Sequence, residues 1–265
     1  MIVVENDWRV TERLAGSSTV LPALHRVSRS EGGEAAWASL HTSPVCAATA
    51  TDATVAVACQ DRSLHIIDIS NGELVLPPLQ LQGRASKLAV QEGCIIILTT
   101  DGTLTVYDIK KRKRLMSESI RHLVEGKSGG VKAIQLASVD EKDSTCTPVV
   151  LLTSGEAFTR CPDLETWMQL GENAAVRRSI QPEFTVLQSC QPNKQSTRPL
   201  AAILLQTAAY TGTTRVTRPL VSDEVRQGLT ESFINRMLSS SQYLKSPQDY
   251  KFWLRRLVKF YIKEG

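Results

Sequence analysis

Aromatic residues make up only 5% of the 265 positions. A core therefore has to be built mainly from Leu, Val, Ile and Ala. No stretch reaches the roughly 18 apolar residues that a membrane-crossing helix needs, so no membrane association is expected. The opening residues, MIVVENDWRV, lack a basic flank followed by an apolar run, and no signal peptide is expected there. Neither CxxC nor HExxH occurs, which removes the compact redox and zinc motifs. GxGxxG is also missing, and GxSxG spacing occurs only at residues 126–130, in what reads as an ordinary loop. Residues 126–130, GKSGG, hold GKS without the Gly-rich loop of a Walker A motif. The four histidines, His25, His41, His65 and His122, sit in no catalytic motif. His65 falls in a strand pattern and reads as a structural residue, either solvated or hydrogen-bonded. No catalytic, cofactor-binding or metal-ligating set is expected, and the chain is read as non-enzymatic.

The six cysteines are widely spaced. Cys59, Cys94 and Cys146 lie in or beside apolar runs and read as buried thiols in a reducing compartment. Lys plus Arg is 31 against 27 for Asp plus Glu, a formal charge of +4. That balance permits binding to nucleic acid or acidic protein without arguing for either.

What is present is a repeat. Thr54–Cys59 (TVAVAC) alternates as a strand does, and Asp61-Arg62-Ser63 turns into Leu64–Ile69. Ser70-Asn71-Gly72 is a hairpin signal, because Asn and Gly tolerate a left-handed backbone. Leu74–Leu76 follows and is expected to stop at Pro77-Pro78. The next unit runs Cys94–Thr99, Asp101-Gly102, Thr103–Ile109, Lys110–Arg114. Asp61 and Asp101 are 40 residues apart, as are Asp68 and Asp108. Carboxylates recurring at that period point to turn construction. A looser third copy runs Val149–Thr153, Ser154–Glu156, Ala157–Thr159 and Pro162–Trp167. A period near 40 with several short strands per unit is the pattern of propeller blades. An early strand is expected at Ile2–Val4 or Trp8–Val10, and later ones at Glu183–Leu187 and Ala201–Thr207. Two clear blades and one loose one are few for a closed propeller, so the sheet edges need irregular strands, helices or a neighbouring subunit.

The period changes after residue 219. Ser222 can cap a helix with Asp223 and Glu224 in its first turn. Val225, Leu229, Phe233 and Met237, widened by Ile234 and Leu238, form its apolar face. Ser246, Pro247 and Asp249 mark a second helix start. Its apolar face is read as Tyr250, Trp253, Leu254, Leu257 and Tyr261, with Lys251, Arg255, Arg256, Lys259 and Lys263 on the other side. The expected fold is mainly β: WD-like blades of a partial or irregular propeller over residues 1–219, then a small helical segment over 220–265.

Lys110, Lys111, Arg112, Lys113 and Arg114 form the densest basic run. Both a solvated hairpin turn and a nucleic-acid contact fit it.

The order and spacing of several blocks carry a resemblance. These are Val57–Asp61 (VACQD), Leu74–Leu79 (LVLPPL), Thr103–Ile109 (TLTVYDI), Leu151–Ala157 (LLTSGEA), Leu164–Trp167 (LETW) and Tyr250–Gly265 (YKFWLRRLVKFYIKEG). Over nearly its whole length the chain resembles the C-terminal domain of the histone regulator (HIR/HIRA) family of histone chaperones. The resemblance implies a nuclear, non-enzymatic module that self-associates, with a homotrimer as the expected form. It implies recruitment of a large helical-repeat subunit. Histones H3 and H4 would be engaged through the wider complex, for deposition independent of replication. The family pattern has Trp-Asp where this chain has Tyr107-Asp108, and that pair contributes to self-association in the family. Tyr107 keeps an aromatic body and loses the indole N–H. The alternative is a direct DNA- or histone-binding module using Lys110–Arg114 and the basic helix flank.

Overall fold

The computed structural model describes residues 1–8, 24–32, 34–91, 93–127, 129–137, 146–171, 179–180, 200 and 221–264. Among these lie fifteen strands in four antiparallel sheets. By packing, the chain divides into two compact units. One holds Met1–Leu123 with Ile134–Leu136, and the other holds Val124–Ala133 with Ala137–Gly265.

In the first unit, β1 (Ile2–Trp8), β2 (Leu24–Glu31) and β3 (Glu34–His41) form a three-stranded sheet. The second sheet is β4 (Val45–Ala50), β5 (Thr54–Cys59), β6 (Ser63–Asp68) and β7 (Leu74–Gln80), in that spatial order. The third is β8 (Ala85–Gln91), β9 (Cys94–Thr99), β10 (Thr103–Asp108) and β11 (Lys113–Ser119). β1 covers the expected Ile2–Val4 strand, while the alternative ending at Val10 runs outside the described residues.

Strand alternation explains the stacking. Val55, Val57 and Cys59 of β5 face one apolar cluster with Val27 and Val45. Ala56 and Ala58, on the other face, join Leu64, Ile66, Ile95 and Ile97. The β4–β7 sheet is thus buried on both faces by its neighbours, the arrangement of repeat blades. β9 reads as an unbroken apolar run, Cys94–Thr99, and is buried throughout.

The 40-residue repeat extends to individual backbone bonds. Gln60 N–H donates to the Pro44 carbonyl at 2.8 Å, and Thr100 N–H to the Arg84 carbonyl at 2.8 Å. Ile69 N–H donates to Ala53 at 3.0 Å, and Ile109 N–H to Gly93 at 2.9 Å. The four recurring aspartates build turns. Asp61 accepts the Ser63 N–H at 3.0 Å and hydroxyl at 2.7 Å. Asp101 accepts the Thr99 hydroxyl and, at 3.0 Å, the Thr103 hydroxyl. Asp68 accepts the Ser70 N–H at 2.8 Å. Asp108 accepts the Lys111 N–H at 2.9 Å.

Two expectations are corrected here. β7 does not stop at Pro77 but continues to Gln80. It is the outermost strand of its sheet, and its register against β6 shifts between Leu76 and Leu79, so both prolines fall at an irregularity on an edge strand. Such a place needs no ladder N–H. Cys59 is a buried free thiol as expected, whereas Cys94 and Cys146 are disulfide-bonded.

The fourth sheet runs β12 (Val131–Ala137), β13 (Thr147–Leu152), β14 (Ala157–Cys161) and β15 (Thr166–Gly171). Its last three strands are the loose third copy, with Gly155 at φ 91° in the turn between β13 and β14. A one-turn helix α1 (Arg121–Val124) follows β11. The expected 219/220 boundary and the strands expected at 183–187 and 201–207 lie outside the described residues.

In the second unit, α2 (Asp223–Tyr243) begins at Ser222, whose side chain accepts the Val225 N–H. Helix α3 (Pro247–Glu264) begins at a buried Ser246, which accepts the Asp249 N–H at 3.4 Å and donates to its carboxylate at 3.0 Å. Phe233, Ile234 and Met237 of α2 pack on Trp253 and Phe260 of α3. The two aromatic rings of Phe233 and Trp253 meet edge to face at 5.5 Å. The faces differ from the periodicity reading at three positions. Val225, Leu254 and Tyr261 are exposed, and Phe260 takes the buried place.

Candidate interaction surfaces and side-chain clusters

Tyr107 and Asp108 end β10, between Ile95 and Cys94 of β9 and Arg114 and Lys113 of β11. The β10–β11 register shifts between Val106 and Tyr107. Tyr107 is half-buried, its ring against the cluster containing Ile95 and Ile97. Asp108 is only 5% exposed. Its carboxylate is turned into its own hairpin, on the Lys111 N–H, with the Lys111 ammonium at 4.0 Å. The pair therefore shapes a turn. What that turn displays is the basic run: Lys110, Lys111, Arg112, Lys113 and Arg114 are all exposed, with Arg112 at φ 52°.

Helix α3 carries a second surface. Leu254, Val258 and Ile262 recur every fourth residue and are 41%, 51% and 77% exposed. One position further on, Lys251, Arg255, Lys259 and Lys263 form a parallel exposed cationic row. Arg256, by contrast, is half-buried, its guanidinium 4.6 Å from the Phe252 ring centre. The helix thus buries one apolar face and presents another, rimmed by positive charge. The sequence reading missed this stripe because it placed Leu254 on the buried face and assigned neither Val258 nor Ile262 to a face. A helical-wheel count separating Trp253, Leu257 and Phe260 from Leu254, Val258 and Ile262 would have found it.

One further cluster joins residues from two sheets. His41 ends β3, Cys59 ends β5 and His65 sits in β6. One donor atom from each lies within 4.8 Å of the others. The two imidazole rings meet edge to face, 4.5 Å between centres. Burial, reinforced by His65, lowers the His41 pKa to about 4, so its ring is neutral. Burial pushes the Cys59 thiol up to about 11. The Ser63 hydroxyl donates to Asp61 at 2.7 Å and lies 3.0 Å from His65 Nε2. Of the two structural roles expected for His65, solvated or hydrogen-bonded, the structure shows the hydrogen-bonded one. The trio was illegible as a local motif, since its members are 18 and 6 residues apart.

Residues 72–265 match the family model described as "Hira: TUP1-like enhancer of split". A curated relative, Protein HIRA of Takifugu rubripes, is 30% identical over 234 residues, covering 86% of this chain and 22% of that protein. Protein HIRA of Xenopus laevis is 25% identical, covering 100% of this chain and 24% of that protein. The chain thus spans under a quarter of the length of these relatives. A crystal structure of a HIRA segment superposes with a TM-score of 0.58 at 23% identity, covering 100% of this chain and 75% of that one. That likeness is one of fold, and it places the same blades and terminal helices in both.

Proposed function

From the premise that the chain belongs to the Hira family, we propose that it is a non-enzymatic assembly module of a nuclear histone chaperone complex. The module self-associates, as a homotrimer, and recruits a large helical-repeat subunit. Histones H3 and H4 are engaged through the wider complex, for replication-independent deposition. The observation that supports assembly most is the unpartnered apolar stripe of α3. Contiguous exposed apolar surface with a charged rim is the anatomy of a docking face. A groove between helices of a repeat protein accepts such a helix through anchors spaced four residues apart. The cationic row selects a groove with an acidic rim.

Tyr107 and Asp108 contribute to self-association as positioning residues in this reading. They set the hairpin whose tip and outer strand β11 face a neighbouring copy. Light scattering tests this. Assembly gives a solution mass near three times the 29.2 kDa protomer. Asp108→Lys removes the acceptor for the Lys111 N–H, misshapes the turn and lowers that mass. An unchanged mass in a folded Asp108→Lys variant removes the hairpin from the interface.

The second reading, direct contact with DNA or histones, rests on the five consecutive exposed cations at Lys110–Arg114. Binding through phosphates weakens steeply with added salt. A charge-neutral substitution of the run abolishes DNA binding if this reading holds. Absence of duplex binding by the intact chain at low salt excludes its DNA branch.

A further inference from the structure

The blade repeat supplies a control for every residue of the second sheet. His41, Cys59 and His65 correspond, 40 residues on, to Leu81, Thr99 and Thr105. Those three positions are built as ordinary blade residues. Leu81 is buried in the apolar cluster. Thr99 is hydrogen-bonded to Asp101 and to the Thr103 backbone, and Thr105 to Ser117. The blade frame therefore does not require histidine or cysteine there. Yet His41 of the first sheet and Cys59 and His65 of the second bring two imidazoles and a thiol together, and His41 is left unsatisfied. Both ring nitrogens of His41, a residue only 4% exposed, have no hydrogen-bond partner among the described residues. Buried polar groups are normally paired, so this orphan calls for a missing partner.

We propose that His41, Cys59 and His65 form a zinc site in the blade. Two imidazoles and a thiolate are the donor set of a borderline-soft ion, and a poor set for magnesium or calcium. The widest donor separation, 4.8 Å, exceeds the roughly 3.3–3.8 Å between ligands of tetrahedral zinc with bonds of about 2.0–2.3 Å. Small side-chain rotations close that gap. Binding displaces the Cys59 proton to solvent and uses a neutral lone pair on each histidine, with no change of oxidation state. Asp61 and Ser63 supply outer support. Because the Ser63 hydroxyl donates to Asp61, it accepts from His65 Nε2–H. That fixes the tautomer whose Nδ1 carries the lone pair, the usual way a ligating histidine is oriented. The half-exposed His65 gives the ion its entry, and water completes the fourth position.

The test uses the full chain, reduced and without a histidine tag. Cobalt(II) is titrated into it, followed by zinc. The site predicts one equivalent, a thiolate-to-cobalt charge-transfer band with tetrahedral visible bands, and displacement of cobalt by zinc. Zinc also raises the melting temperature, and a chelator reverses the rise. The variants His41→Leu, Cys59→Thr and His65→Thr borrow the residues of the next blade, so the fold has a precedent for each. Cys59→Thr abolishes the charge-transfer band, and either histidine variant weakens zinc more than about tenfold. Cys46→Ser, outside the trio, leaves the band intact. Circular dichroism confirms that each variant is folded. Should Cys59→Thr not fold, Cys59→Ser and the half-exposed His65→Thr carry the same test. A folded wild-type chain without the thiolate band overturns the site. So does a band that survives Cys59→Thr or disappears in Cys46→Ser. A response to copper(I) with none to zinc or cobalt overturns the metal assignment.

Discussion

The sheets β4–β7 and β8–β11 are the same object built twice. Their first three strands start 40 residues apart, their turn aspartates coincide, and their backbone bonds repeat at 2.8–3.0 Å. They differ in how they solve two local problems. The turn before the third strand needs a left-handed residue. The first sheet of the pair uses Arg62 at φ 71°, the other Gly102 at φ 84°. At the hairpin before the outer strand the roles reverse, with Gly72 at φ 79° against Arg112 at φ 52°. They also differ in core filling, since Val57 stands where the other has Ile97. The frame is thus set by turn chemistry and burial, and substitutions within it are free to serve other ends. The His41–Cys59–His65 trio is the clearest case.

The largest expected effect probes the shared core. Ile97 is fully buried, and Ile97→Ala should cost about 2–5 kcal/mol in denaturant unfolding. Val57→Ala removes one carbon fewer and should cost less. Equal losses would show that the difference in core filling between Val57 and Ile97 carries no difference in stability. Next comes Gly72→Ala. A Cβ there would lie 2.8 Å from Trp37 Cγ, and the backbone is left-handed. The loss should exceed about 1 kcal/mol. The equivalent Arg112→Gly should be neutral or mildly stabilising. Arg62→Gly relieves the opposite turn, with a gain of up to about 1 kcal/mol after the chain-entropy cost. A destabilised Arg62→Gly would show that its side chain, not its backbone, matters.

The smallest effect is on acid stability. The Ser70 hydroxyl beside Asp68 and the Thr99 hydroxyl beside Asp101 hold both carboxyls below the usual carboxylate range. A depressed folded value means that stability is present above the unfolded pKa of about 3.9 and is lost as pH falls through the folded value. Urea midpoints should therefore decline below about pH 4, and less so in Asp68→Asn. An identical decline in that variant would remove Asp68 from the acid response.

Much of this was legible in the sequence. The blades announce themselves through TVAVAC and TLTVYD, and the helix starts through Ser222 and Ser246-Pro247. What was not legible depends on neighbours. Pro77 and Pro78 look like a stop until β7 is seen as an edge strand. Tyr107-Asp108 is recognisable as a pair, yet only the structure shows Asp108 turned into its own hairpin. Leu254 and Tyr261 read as part of the buried face of α3 until Trp253 and Phe260 are seen to bury the other side. The cysteines at 94 and 146 differ from Cys59 in bonding, which strand patterning does not encode.

The central claim is self-association through the β10–β11 hairpin. Its most direct test is the solution mass of the chain, by light scattering across micromolar concentrations, beside that of a folded Asp108→Lys variant. The account predicts a trimer mass for the parent chain and a lower mass for the variant. A parent chain that stays monomeric, or a folded variant of unchanged trimer mass, would contradict it.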